Sequence, residues 1–350
     1  MRAARYTSLD DALETIAPFG MDLKNGNSNH APMVAEALCA LGRPEAVMPW
    51  VERYRERMSP RPPLRERIRG DGSRTALGQR ERFGDWSRFF TEELHETAWR
   101  EVLDRWIARL ASGFCAAATH GVIRVGHATR GLADGETPTR RRELADALAS
   151  WAAAWQLLPA GEPGADGALP PRQAIARIPL VPPDRRARGN IVAALGALGD
   201  LPAFASATGL IDSGGDVTAL IAERTETFAR VYLANAHDIP TVIAFIHGVT
   251  SHAALGNIAP HVGDATARIA LRHTWQAGCG LYACFGGATA TADDVAPPDA
   301  EEDELVERAI AHGDEHVIKF AEACLSRHAL GPSPAYPAAA AHASGIIRRR

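Results

Sequence analysis

Arginine supplies almost every cationic position in this 350-residue sequence, and among 38 basic residues only Lys24 and Lys319 are lysines. Lys319 lies in the stretch DEHVIKFAEACL, where Val317, Ile318, Phe320 and Ala321 crowd it as they would in a buried helix. Arginine keeps its proton inside a protein, whereas a desolvated lysine loses it. A neutral buried amine serves as a general base, as a Schiff-base nucleophile, or as the acceptor of carbon dioxide to give a carbamate, an anionic oxygen ligand on a long arm. His316 lies three residues earlier on the same helix face, and His312 one turn before that. The bland alternative is a lysine that snorkels to the surface and pairs with Glu315 or Glu322.

Thirteen histidines occur, and four further positions sit in apolar, small-residue surroundings. His30 follows Asn29, a natural N-cap, with Pro32 suited to the first turn of the helix beyond. His120 and His127 are spaced by seven residues, so they share one face of a helix with Arg124 between them. Such a polar stripe, if buried, needs partners, and a hydrogen-bond network serves as well as a metal. His247 follows a run of apolar residues in a helix opened by Pro240; a satisfied core histidine is the competing reading. His252 lies about 140° around that helix from His247, so the two cannot share one centre. His95, His273 and His328 have polar neighbours, His237 sits at a turn and His342 near the end. Imidazoles plus one anionic oxygen suit iron, copper, nickel or zinc, and a set larger than four favours iron or manganese with a position left for dioxygen.

The elements that must position these groups are helices. Alanine dominates and apolar residues recur at three and four, which predicts an all-α, multi-helix bundle. Helices are expected over 9–17, 30–41, 45–57, 81–93, 97–110, 114–132, 138–156, 213–236, 240–258, 262–285 and 301–328. Pro-, Gly- and Arg-rich loops are expected over 59–72, 159–171, 178–189 and 290–303. Residues 1–332 read as a single helical catalytic domain and 333–350 as a flexible tail. No phosphate-binding loop, dinucleotide fingerprint or GxSxG elbow occurs, which disfavours P-loop, Rossmann and α/β-hydrolase chemistry.

A net charge of −4 gives no general attraction to nucleic acid or an anionic membrane. Five cysteines, an odd number without CxxC spacing, read as reduced thiols. The expectation is a cytoplasmic chain without signal or membrane span. Oligomeric state is not legible, and with 6% aromatic residues no stacking pocket is visible.

The motifs NHAPMVAEALCALG, THGVIRVGHA, FIHGVTS and DEHVIKF, in this order across residues 25–328, resemble those of the questin oxidase family, in its bacterial branch. The resemblance implies an all-helical mononuclear non-heme iron oxygenase that cleaves or oxygenates an aromatic or quinone ring of an anthraquinone-like polyketide with O2. It implies iron ligands at His30, His120, His247 and His316, with Lys319 as a carboxylated fifth. Where fungal members carry a second histidine in the middle motif this chain has Arg124, and His127 is the candidate substitute. Arg124 and His127 are therefore the catalytic candidates, Arg124 for orienting a phenolate or carboxylate. External NADPH would be the reductant where one is needed, because no dinucleotide fold is encoded. Two other readings compete: a helical hydrolase using a metal-bound water, and a non-enzymatic helical binding protein whose histidines are core hydrogen-bond partners.

Overall fold

The computed structural model describes residues 6–69, 72–158, 167–187 and 189–348. Seventeen α-helices make up most of the described residues, and the only sheet among them is an antiparallel pair, Phe19–Leu23 with Met58–Pro60. The fold is all-α, as the periodicity predicts. The strand pair has a local purpose, since Asn29 N–H bonds the Met21 carbonyl at 2.8 Å and so anchors the chain just before His30.

Helix Ile239–Ile258 is the axis of the bundle. Asp238 and Thr241 close a capping box at its start, with Pro240 in the first turn. Its stretch Ile239–His261 is the only one among the described residues long and apolar enough to cross a membrane. Of that window 78% is buried inside the protein, as expected of the core helix of a bundle.

Helices His120–Asp134 and Glu315–Leu330 both pack on the axis, and helix Ala31–Ala40 packs on both of them, closing a ring of four. Small residues permit the close approach: a Cβ at Gly126 would stand 2.7 Å from the Ala254 Cβ. All five cysteines are buried free thiols, and burial pushes each one upward, Cys39 and Cys284 to about 12.

Several sequence expectations need correction. The helix expected over 301–328 is two, Glu302–His312 and Glu315–Leu330, because Gly313 adopts φ 81° and Asp314 restarts the chain as an N-cap that accepts from His316 N–H. His312 is thus not on the His316 helix. The helix expected from 114 begins only at His120. Ala335–Ile346, expected within a tail, is a helix with Tyr336, Ala339 and Ala343 buried against the bundle. Short helices at Ile191–Leu195 and Ala203–Thr208 were not expected, because runs this short carry no readable period. The loops expected over 59–72, 159–171 and 178–189 fall partly outside the described residues.

Candidate metal centre and adjoining cavity

His30, His120, His247, His316 and Lys319 come from four helices and meet at one place. Ring centroids of His30 and His120 are 4.5 Å apart, His30 and His316 4.7 Å, His120 and His247 4.7 Å, and His247 and His316 5.9 Å. Ligand atoms of His30, His120 and His316 all lie within 4.8 Å of one another.

Each ring is set by local backbone. His30 is the N-cap residue of its helix; its N–H bonds the Tyr54 hydroxyl at 3.2 Å, while Asn29 Oδ1 accepts from Ala31 N–H at 3.0 Å. His120 opens its helix after three consecutive residues with positive φ, Ala117 at 47°, Ala118 at 58° and Thr119 at 69°. This left-handed turn aims the Ala117 carbonyl at His120 Nδ1, 2.6 Å away. His247 sits mid-helix with Nδ1 2.7 Å from the Ile243 carbonyl one turn back. His316 lies in the first turn of its helix with Nδ1 3.2 Å from Asp314 Oδ1.

These contacts fix the protons. A carbonyl accepts only, so Nδ1 of His120 and of His247 must donate, and in a neutral ring Nε2 then carries the lone pair. The two Nε2 atoms face each other at 3.3 Å. Two lone pairs so placed repel unless a cation or proton lies between them. His30 adds a buried Nδ1 with no hydrogen-bond partner. Ring N–H groups tied to carbonyl or carboxylate oxygen while the other nitrogen stays bare are the usual outer support of metal-binding histidines.

Lys319 is 2% exposed, and among the described residues its amine makes one polar contact, to Met33 Sδ at 4.0 Å. Burial lowers it to about 8, against the pull of Glu315 and Asp314. Burial likewise depresses His30 and His120 well below the ordinary range and His247 to about 3, with the Lys319 charge adding to all three. The rings are therefore neutral at physiological pH.

A cavity of about 740 Å³ opens onto all four histidines. Ile191, Val192, Ile239, Ile243, Phe285 and Ile347 give it apolar walls, and Asn27, Arg80, Asn190 and Arg348 add polar groups. Sequence reasoning missed this cavity, whose wall at 189–192 is a loop and short helix without a motif.

The two catalytic candidates lie elsewhere. Arg124 is fully engaged, with Nε and Nη2 on the Glu143 carboxylate at 2.7 and 2.8 Å and Nη1 on Ser150 Oγ at 2.9 Å. It does not line the large cavity, so it is not placed to orient a substrate there. His127 Nδ1 lies 2.6 Å from Glu36 Oε2, two turns from the centre, and does not replace a ligand. Seven residues along a helix displace His127 by about 10 Å from His120, which is why a shared face does not give a shared centre. His312 Nε2 faces the Ile347 carbonyl at 2.7 Å, and His252 stacks on Phe228, so neither joins the set.

The left-handed turn yields a prediction. Each L-residue held in that conformation costs roughly 1–2 kcal/mol, and glycine does not. Ala118→Gly is expected to raise unfolding stability by about 1 kcal/mol, and Ala118→Val to lower it by more than that. Denaturant melts of the two variants test this; a glycine variant less stable than the parent would contradict it.

The fold and this centre define an all-helical protein with a buried histidine–lysine site beside a large cavity of mixed apolar and polar walls. Residues 27–130 match the family described as questin oxidase-like. The kinship read from the motifs is thus borne out over that segment, which contains the NHA and THG motifs with His30 and His120, while the FIH and HVIK motifs lie beyond it. Comparison with curated proteins finds no match.

Proposed function

We propose that the protein is a non-heme iron(II)-dependent oxygenase that cleaves or oxygenates a ring of an aromatic or quinone substrate of anthraquinone-like polyketide type. The observation that carries this reading is the pair of bare Nε2 atoms of His120 and His247 facing each other at 3.3 Å, with His30, His316 and a low-pKa lysine around them. This donor set fits a metal ion: four imidazoles and one amine able to take up carbon dioxide. Bound there, iron would supply a site for activating dioxygen toward an electron-rich ring.

The protein's own residues prepare that chemistry. The neutral Lys319 amine would attack carbon dioxide, forming an N–C bond and passing one proton to water, and the resulting carbamate oxygen would help to hold the ion. Asp314 and the carbonyls of Ala117 and Ile243 hold the three donor rings in fixed tautomers. Ile191, Val192, Ile243 and Phe285 bind the ring system and exclude water. NADPH, where a reductant is needed, would act as a diffusible co-substrate.

Metal analysis after gentle purification, coupled to oxygen-uptake measurements, tests the proposal. One iron per chain and oxygen uptake on adding a hydroxyanthraquinone are expected. Zinc at full occupancy, with no oxygen uptake after reconstitution with iron, would overturn it in favour of hydrolysis.

A further inference from the structure

Three of the four helices that carry the centre are joined a second time by an ionic cluster one to three turns further along, its carboxylates buried and its guanidinium partly exposed. Arg130, on the His120 helix, places Nε on Glu36 Oε1 at 2.7 Å and Nη2 on Glu36 Oε2 at 2.6 Å. Its Nη1 donates to Glu322 Oε1. Glu36 belongs to the helix that begins after His30, and Glu322 lies one turn beyond Lys319. The Tyr6 hydroxyl donates to Glu36 Oε1 at 2.7 Å, and Ser326 Oγ donates to Glu322 Oε1 at 2.7 Å. Both carboxylate side chains are 3% exposed. Burial alone would raise the Glu36 carboxyl, but Arg130 and His127 hold it down at about 2.

A largely buried ion cluster of this kind is a weak source of stability, since well-packed neutral residues of similar volume often do as well or better. Geometry gives it another use. A guanidinium fork on a carboxylate fixes distance and direction together. One guanidinium shared by two carboxylates on two other helices therefore resists sliding of any of the three along its axis. A slip of one residue moves a side chain by about 1.5 Å along the axis and 100° around it. Metal-ligand constellations tolerate about 0.5 Å.

We infer that Arg130 is a positioning residue which, through Glu36 and Glu322, sets the axial register of the helices presenting His30, His120, His316 and Lys319 to a common ion. This rests on the reading of the centre as a metal site, and the test separates the two. The combined variant Glu36→Gln, Arg130→Met, Glu322→Gln removes the charges at nearly constant volume. Denaturant melts should show stability equal to or above that of the parent. Titration of the metal-free protein with cobalt(II) should show the dissociation constant raised by about 10- to 100-fold, with a changed cobalt visible spectrum. Arg130→Lys alone, which keeps the charge and loses the fork, should fall between.

A reading without metal comes from ring N–H protons in nuclear magnetic resonance. Those of His120 and His316 should exchange faster in the combined variant, while that of His247, on the helix outside the cluster, should not. Parent-like cobalt affinity together with parent-like exchange in both variants would overturn the inference. Should the parent itself take up no cobalt, the metal reading falls, and parent-like ring-proton exchange in the variants then overturns the positioning role separately. If the combined variant does not fold, Arg130→Lys gives the same two measurements.

Discussion

Lys319→Met is expected to give a protein that is more stable than the parent in the absence of metal and unable to retain iron. The lysine is 2% exposed with a thioether as its polar contact, and burial sets it at about 8. Below pH 8 the folded chain carries a buried charge that the unfolded chain hydrates, at a penalty of about 3 kcal/mol for a shift from 10.5 to about 8. The penalty shrinks between pH 8 and 10.5 and vanishes above, where both states are neutral. The stability gap between Lys319→Met and the metal-free parent should therefore be about 3 kcal/mol at pH 7 and close towards pH 10.5, read by denaturant titration.

Lys319→Arg separates charge from carbamate. Arginine keeps a cation but cannot take up carbon dioxide, so iron should be lost, whereas a lysine serving only as a charge predicts no loss. In the parent, metal uptake should rise with added bicarbonate and as pH climbs through about 8, because the free amine is the reacting form. Uptake indifferent to both would leave the lysine without its assigned chemistry.

The second large effect belongs to the cavity. Ile243 lines it one turn before His247, and its carbonyl holds His247 Nδ1. Ile243→Trp keeps that backbone contact while filling space where a ring would lie. Iron content should be unchanged, and oxygen uptake with a hydroxyanthraquinone should fall by about 100-fold or more, as expected when a substrate is displaced by an ångström. Unaltered turnover would place the substrate elsewhere.

Much of the centre was legible because its residues break local rules: an amine in an arginine-rich chain, and histidines within apolar helices. The all-α class followed from alanine content and period. What stayed hidden depends on contacts distant in sequence or on backbone without a residue signature. Arg124 reads as a candidate for orienting a phenolate or carboxylate until Glu143, on the next helix, is seen to claim it. Ala117, Ala118 and Thr119 have no sequence mark of a left-handed turn, since alanine is the usual mark of a right-handed helix. Gly313 is a helix-stop signal, but the apolar period runs through it, so His312 and His316 read as one helix in sequence although the left-handed glycine separates them.

The burial of every thiol has a chemical consequence. Quinones are soft electrophiles that add thiolates, and a protein that concentrates them risks alkylating itself. Here Cys39, Cys115, Cys279, Cys284 and Cys324 are all enclosed and all held in the protonated form at neutral pH. None of them lines the large cavity. On the proposed function, a quinone lying beside the histidines would meet no nucleophilic sulfur.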